Sequence, residues 1–121
     1  MAHILIAEDD QSMCSFLQLA LEKAGHNVQI AYNGIDALKI IEESNPPIDL
    51  LLSDIVMPGM DGVELSNKAT KTHPSIKIMF ITGFAAVAME REDLDREKTK
   101  VLSKPFHLND LVEQVETLLS T

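Results

Sequence analysis

Polar side chains that could carry out chemistry follow four of the five short apolar segments in this 121-residue chain. Glu8 and Asp9 come directly after the first apolar segment, and Asp54 comes after the third. Thr82 follows the fourth segment, and Lys104 follows the fifth. If these segments are parallel strands, their carboxyl ends meet at one edge of a sheet, where ligands bind. We therefore expect the five side chains to converge there.

Acids from two strands that converge in this way favour phosphoryl chemistry with a metal ion. Neighbouring carboxylates resist full ionisation unless a cation joins them. Mg²⁺ suits one or two carboxylates together with waters and a phosphate. A carboxylate such as Asp54 could then attack phosphorus and form an aspartyl phosphate. Lys104 and the Thr82 hydroxyl could stabilise the phosphoryl oxygens.

The apolar segments that would position these residues have the composition of buried strands. Three of them are nearly continuous Ile, Leu and Phe, which is typical of strands covered on both faces. The predicted strands are His3–Ala7, Val28–Tyr32, Ile48–Ser53, Ile76–Ile81 and, more weakly, Lys100–Ser103.

Amphipathic segments alternate with these strands. Apolar residues at i, i+3 and i+4 spacing predict helices over 13–24, around 37–41 and over 108–119, and weaker patterns lie near 64–72 and 85–92. Gly25 is expected to end the first helix. Five strand–helix alternations predict an α/β fold, a doubly wound five-stranded parallel sheet with five helices on its two faces.

Composition narrows the possible functions. The net charge of −9 argues against direct, nonspecific nucleic-acid binding. No apolar run is long enough to cross a membrane, and no signal peptide is evident. The single cysteine, Cys14, excludes an internal disulfide and fits a reducing compartment, so we expect a cytoplasmic protein. The length fits one globular domain, which we expect to extend over 1–121.

Other candidate residues have simpler interpretations. Asp10 is predicted to cap the first helix, and Asp61–Gly62 predicts a turn into the third. The acids Glu8 and Asp9 could themselves be solvated loop residues. The four histidines are scattered without metal-ligand spacing, so we expect them at the surface or at interfaces: His3, His26, His73 and His107.

Four motifs in register resemble the receiver domain of two-component response regulators across the whole chain. They are AEDD (7–10), LLLSDIVMPGMDG (50–62), FITGFAA (80–86) and LSKPF (102–106). The resemblance implies a flavodoxin/CheY-like fold with strand order 2-1-3-4-5. It also implies Mg²⁺ as the cofactor and a histidine kinase or histidine phosphotransfer protein as the partner.

The same resemblance assigns roles to individual residues. It makes Asp54 the phosphoacceptor and Asp9 a direct metal ligand, and the backbone carbonyl of Val56 completes the protein's share of the metal sphere. Glu8 is the second acid of the pair, acting through water. Thr82 is the switch hydroxyl and Lys104 pairs with phosphate, and Pro105 follows a peptide bond that is often cis in the family.

Three apolar residues bear on the switch and on the lifetime of the phosphate. Val101 stands where many receivers have an aromatic ring that swings inward on phosphorylation, so that switch is not available. Val56 and Phe84 lie two residues beyond Asp54 and Thr82 and are apolar, so they cannot orient an attacking water. Our hypothesis is that self-dephosphorylation is slow.

The means of output is inferred from a further resemblance. The chain ends after the last helical pattern, so we expect no output domain, and signalling must use protein contacts such as the segment Gly83–Met89. The strings MFITGFAAVAM, VLSKPFHL and LLLSDIVMP resemble CpdR-type single-domain regulators of alphaproteobacteria. That resemblance implies control of proteolysis by the ClpXP protease. A phosphorelay intermediate and, more distantly, an enzyme with an aspartyl-phosphate intermediate remain alternatives.

Overall fold

The computed structural model of the chain describes residues 2–83 and 99–120. Five strands are present in these ranges: β1 His3–Ala7, β2 Asn27–Ala31, β3 Leu50–Asp54, β4 Lys77–Thr82 and β5 Thr99–Ser103. Four helices accompany them: α1 Gln11–Lys23, α2 Gly34–Glu43, α3 Gly62–Thr72 and α4 Leu108–Leu119.

The five strands form one parallel sheet in the order β2-β1-β3-β4-β5. This confirms the predicted doubly wound sheet with strand order 2-1-3-4-5. Five helices were expected, whereas the described residues contain four. The fifth expected helix, near 85–92, lies outside the described residues, as does most of the segment Gly83–Met89.

Three predicted strand ends differ from the structure by one residue, and one of them is that of β2, which ends at Ala31 and not at Tyr32. Asp54 and Thr82 were expected to follow their strands, but each is the last residue of its strand. The reason is pairing with a neighbour, because Asp54 is in register with Ile81 and Thr82 is in register with Ser103. Both side chains therefore belong to the rigid sheet rather than to a loop.

Alternating strand residues build an apolar core on each face of the sheet. Leu51 and Phe80 pack with α2 and α3, whereas Leu52 and Ile81 pack with α1 and α4. Strand β3 is central and completely buried. Each such Leu or Phe contributes roughly 1.5–3 kcal/mol by its removal from water. The two layers of helices thereby hold the carboxyl ends of β1, β3 and β4 in fixed positions.

Helix caps set the start of the helices that flank this edge. The side chain of Asp10 accepts a hydrogen bond from Met13 N at 3.1 Å, which confirms it as the N-cap of α1. Asp61 caps α3 in the same way, through Glu64 N at 2.8 Å. Gly25 has φ +100° just beyond α1, a conformation that glycine adopts without strain.

His26 is the histidine that departs from the expected surface position. Only 8% of it is exposed. Its Nδ1 accepts from Ala2 N at 3.2 Å, and its Nε2 lies 3.2 Å from Glu116 Oε1. The ring therefore links Ala2, near the start of the chain, to α4.

The described helices are all too short or too polar to span a bilayer.

Candidate functional site

Three acidic side chains meet at the carboxyl edge of the sheet. Glu8 follows β1, Asp9 is the next residue, and Asp54 ends β3, which lies beside β1. One carboxylate oxygen from each lies within 4.8 Å of the others. Glu8 is 1% exposed and Asp54 is 8% exposed, whereas Asp9 faces solvent. The sheet thus brings together the three acids that the sequence pattern selected.

Lys104 supplies the positive charge that this acidic cluster needs. Its Nζ donates hydrogen bonds to Glu8 Oε1 and to Asp54 Oδ2, both at 2.9 Å. Lys104 comes directly after β5, so it reaches across the end of β4 to meet the two acids. Charge-assisted hydrogen bonds of this length are stronger than neutral ones. The ammonium group therefore holds two buried acids at one point.

Burial and the Lys104 ammonium have opposite effects on the pKa of Glu8. Burial raises the pKa of Glu8, the hydrogen bond from Lys104 opposes this, and the charge of Asp54 adds to the rise. Burial of the Lys104 ammonium disfavours its charged form, but its hydrogen bonds to Glu8 and Asp54 outweigh this and raise the pKa of Lys104. One lysine offsets the repulsion between the acids only in part.

The loop after β1 is fixed by several local hydrogen bonds. Glu8 N donates to Ala31 O at 3.0 Å, which ties the loop to the end of β2. The thiol of Cys14 donates to the backbone carbonyl of Glu8 at 3.2 Å, from a fully buried position in α1. Asp10 caps the same helix. Asp9 therefore lies between two residues whose positions are set by α1.

The turn after β3 is fixed around Asp54. Val56 N donates to Asp54 Oδ1 at 3.3 Å, and the Val56 side chain is 58% exposed. The hydroxyl of Ser53 donates to the Asp54 carbonyl at 2.7 Å. Gly62 N donates to Ile55 O at 2.7 Å, which brings the first residue of α3 against the strand end. Both oxygens of the Asp54 carboxylate accept hydrogen bonds, Oδ1 from Val56 N and Oδ2 from Lys104 Nζ.

The other predicted site residues that the structure describes lie in or directly after β4 and β5. Thr82 is fully buried at the end of β4, and its carbonyl accepts from Lys104 N at 2.8 Å. The peptide bond between Lys104 and Pro105 is cis. Val101 is partly buried and packs against the core on the α2 and α3 face. Phe84 lies outside the described residues.

Sequence reasoning missed Cys14, Ser53 and Gly62 as contributors to the site. Cys14 was used only to exclude a disulfide, and Gly62 was interpreted only as part of a turn. Cys14 and Ser53 donate to the backbone carbonyls of Glu8 and Asp54. Every residue has such a carbonyl, so the sequence does not indicate which one is bound. A polar Ser53 inside an otherwise apolar strand, next to Asp54, was the one available clue.

Comparisons with known proteins agree with this arrangement. The model of a family described as the response regulator receiver domain matches residues 4–116. A curated relative is the response regulator receiver protein CpdR of Brucella abortus (strain 2308), which is 54% identical over 119 residues. That alignment covers 98% of this chain and 98% of the relative.

Solved structures share the fold. The receiver domain of the hybrid histidine kinase CckA has a TM-score of 0.83 at 34% identity, over 97% of this chain and 98% of that one. The response regulator protein TrrA of Thermotoga maritima, crystallised in complex with Mg²⁺-BeF, has a TM-score of 0.84 at 30% identity. That match covers 98% of this chain and 99% of TrrA.

Proposed function

The chain belongs to the response regulator receiver domain family, and we propose that in this receiver Asp54 accepts a phosphoryl group beside Mg²⁺. The observation that carries the proposal is the position of Lys104. Its ammonium group binds Glu8 and Asp54 at 2.9 Å each, beside the solvent-facing carboxylate of Asp9. The Lys104 ammonium group thus lies where a phosphoryl group on Asp54 would bring negative charge, and it could stabilise that charge.

The residues at the edge of the sheet fit a magnesium ion. All three acids offer hard oxygen ligands, which Mg²⁺ prefers over nitrogen or sulfur. Their charges exceed what Lys104 neutralises, and the exposed Asp9 gives access from solvent. We expect Asp9, Asp54 and the Val56 carbonyl to hold the ion, with Glu8 acting through water. The bound ion would supply positive charge to the phosphoryl oxygens.

Phosphoryl transfer from a phosphohistidine requires little more of this chain than positioning. A carboxylate oxygen of Asp54 forms the new O–P bond while the N–P bond of the donor breaks, and the histidine nitrogen keeps that electron pair. Lys104 exchanges its bond to Asp54 for one to a phosphoryl oxygen. The Thr82 hydroxyl, on the neighbouring strand end, donates to another phosphoryl oxygen. The donor is a histidine kinase or a histidine phosphotransfer protein.

A mass measurement tests the phosphoacceptor. Wild-type protein is incubated with acetyl phosphate and Mg²⁺, and its intact mass is compared with those of Asp54→Ala and Asp49→Ala. Asp49 lies at the opposite end of the same strand region, where it accepts a hydrogen bond from His3 N, so it is a matched control. We expect one added phosphoryl group in wild type and Asp49→Ala. A phosphoryl group that persists in Asp54→Ala contradicts the proposal.

We further propose that this receiver works in the cytoplasm as a single domain over 1–121 and signals by binding proteins, in the manner of CpdR-type regulators. The support is 54% identity to CpdR across 98% of both chains. In that role the unphosphorylated form acts with the ClpXP protease, and phosphorylation ends the interaction. Binding to purified ClpX, measured with and without Mg²⁺ and beryllium fluoride, tests this. We expect beryllium fluoride to abolish binding in wild type but not in Asp54→Ala.

A phosphorelay intermediate is the second candidate. The likeness to the CckA receiver domain, which is part of a hybrid histidine kinase, favours it. Labelled phosphoprotein is incubated with a purified histidine phosphotransfer protein. Rapid loss of label to the histidine favours the relay, whereas retention of label together with phosphate-sensitive ClpX binding favours the proteolytic role.

A further inference from the structure

Two small buried side chains hold the backbones of the two buried acids. The Cys14 thiol donates to the carbonyl of Glu8 at 3.2 Å, and the Ser53 hydroxyl donates to the carbonyl of Asp54 at 2.7 Å. Both residues are 0% exposed. We propose that Cys14 and Ser53 are positioning residues that set the affinity of the acidic cluster for a divalent cation. This inference rests on the proposed function, because it takes the cluster to be the metal site.

Cys14 acts on the loop that carries Asp9. The thiol anchors the carbonyl of Glu8, the residue before Asp9, while Asp10, the residue after it, is fixed as the cap of α1. Asp9 is exposed, so burial does little to restrict its side chain. The thiol is fully buried in α1 and donates directly to that carbonyl. Loss of this bond would give the loop more conformations.

Ser53 acts on the turn that follows Asp54. Successive strand residues point to opposite faces of the sheet, so the hydroxyl does not compete for the Asp54 carboxylate. It instead fixes the peptide group that leads to Val56, whose N–H binds Asp54 Oδ1. Val56 is also the residue expected to offer its carbonyl to the ion. One hydroxyl therefore influences two proposed ligands.

The effect should appear in metal affinity because Mg²⁺ tolerates little distortion. The ion demands a near-ideal octahedral arrangement of oxygens, so preorganised ligands bind it better than mobile ones. Outer partners that orient the ligands are worth roughly 10–100-fold in metal affinity. Cys14 and Ser53 act through backbone carbonyls and not on the ligand side chains themselves. We therefore expect the loss of either one to weaken Mg²⁺ affinity about fivefold, which is below that range.

The test compares Mg²⁺ binding by calorimetry in Cys14→Ala, Ser53→Ala and a matched control, Ser66→Ala. Ser66 is also a buried hydroxyl, 3% exposed, that donates to a backbone carbonyl, that of Val63 at 2.8 Å, but it lies within α3. Urea unfolding in EDTA measures the stability of each variant separately. We expect weaker Mg²⁺ binding in the first two variants and wild-type affinity in Ser66→Ala, whatever stability it loses.

Conservative variants separate the hydrogen bond from the loss of volume. Cys14→Ser keeps a donor and should bind Mg²⁺ within about twofold of wild type, and Ser53→Cys, a weaker donor, should lie between wild type and Ser53→Ala. If an alanine variant does not fold, Mg²⁺ binding by these two conservative variants still tests the inference. Wild-type Mg²⁺ affinity in both alanine variants, or an equal loss in Ser66→Ala, overturns the inference. If wild type itself binds no Mg²⁺, the proposed function fails instead.

Discussion

Gly62, the first residue of α3, lies so close to Asp54 that any Cβ atom at Gly62 would overlap the Asp54 carbonyl oxygen. The obstacle is backbone and not a flexible side chain, so it cannot simply turn away. The contact follows from the hydrogen bond of Gly62 N to Ile55 O at 2.7 Å. The start of α3 is thereby packed directly against the end of the strand that carries the phosphoacceptor.

We expect Gly62→Ala to displace α3 from Asp54. The free energy of unfolding should fall by about 1–3 kcal/mol, as for other overpacked sites, and acetyl phosphate labelling should slow. Urea unfolding and intact mass measure the two effects. Gly83→Ala is the control for stability, because a Cβ at Gly83 meets no atom of residues 2–83 and 99–120 within 4 Å. Equal stability in the two variants would show that the contact is not as tight as described.

The raised pKa of Glu8 predicts a pH dependence of stability without Mg²⁺. A carboxyl with a pKa above its ordinary value of 4.5 binds protons more tightly in the folded state than in the unfolded state. Stability should therefore fall as the pH rises from about that value through the raised pKa of the folded state. Urea unfolding in EDTA across this range measures it. Glu8→Gln should reduce the slope, and an unchanged slope would assign the effect to other groups.

We expect the Cys14 thiol to react slowly with alkylating reagents in the folded protein. Its pKa of about 11, against an ordinary 9.0, lowers the reactive thiolate fraction about a hundredfold near neutral pH, and burial slows access further. Iodoacetamide labelling followed by mass spectrometry measures the rate. The same reaction in urea provides the unfolded reference. Comparable rates with and without urea would contradict the buried position.

Val56 offers a test of phosphate lifetime. Its apolar side chain is exposed beside Asp54 and cannot orient an attacking water. Val56→Asn should shorten the lifetime of the phosphoprotein about tenfold, a modest gain against the 10²–10⁴-fold that well-placed proton-transfer groups provide. Decay is followed by intact mass in Mg²⁺ buffer. Ile35→Asn, at a similarly exposed apolar position, should have no effect. Decay of the wild-type phosphoprotein within seconds would refute slow self-dephosphorylation.

Much of the fold could be predicted because buried parallel strands have a strong sequence signal. The first strand, His3–Ala7, was predicted with its observed bounds. The ends of β3 and β4 were predicted wrongly, since Asp54 and Thr82 are polar and were placed outside strands that in fact include them. Pairing with neighbouring strands decides where a strand ends, and a linear pattern contains no information on those neighbours.

The positions of Glu8, Asp9, Asp54 and Lys104 were likewise predictable, because each directly follows or ends a strand and parallel strands end at one edge. The supporting contacts were not. Cys14 and Ser53 act on backbone carbonyls, and His26 is buried by its bonds to Ala2 and Glu116, which are distant in sequence.

The sequence by itself determined the α/β class, the order of elements and the acids and lysine that form the site, because periodicity and residue type are local properties. The tertiary structure alone decided that one lysine, Lys104, pairs with both Glu8 and Asp54. Lys104 lies 96 residues from Glu8 and 50 residues from Asp54, yet it binds both. Only the packing of β5 beside β4 and of β1 beside β3 brings those atoms to 2.9 Å, since hydrogen-bond geometry depends on distances in space and not along the chain.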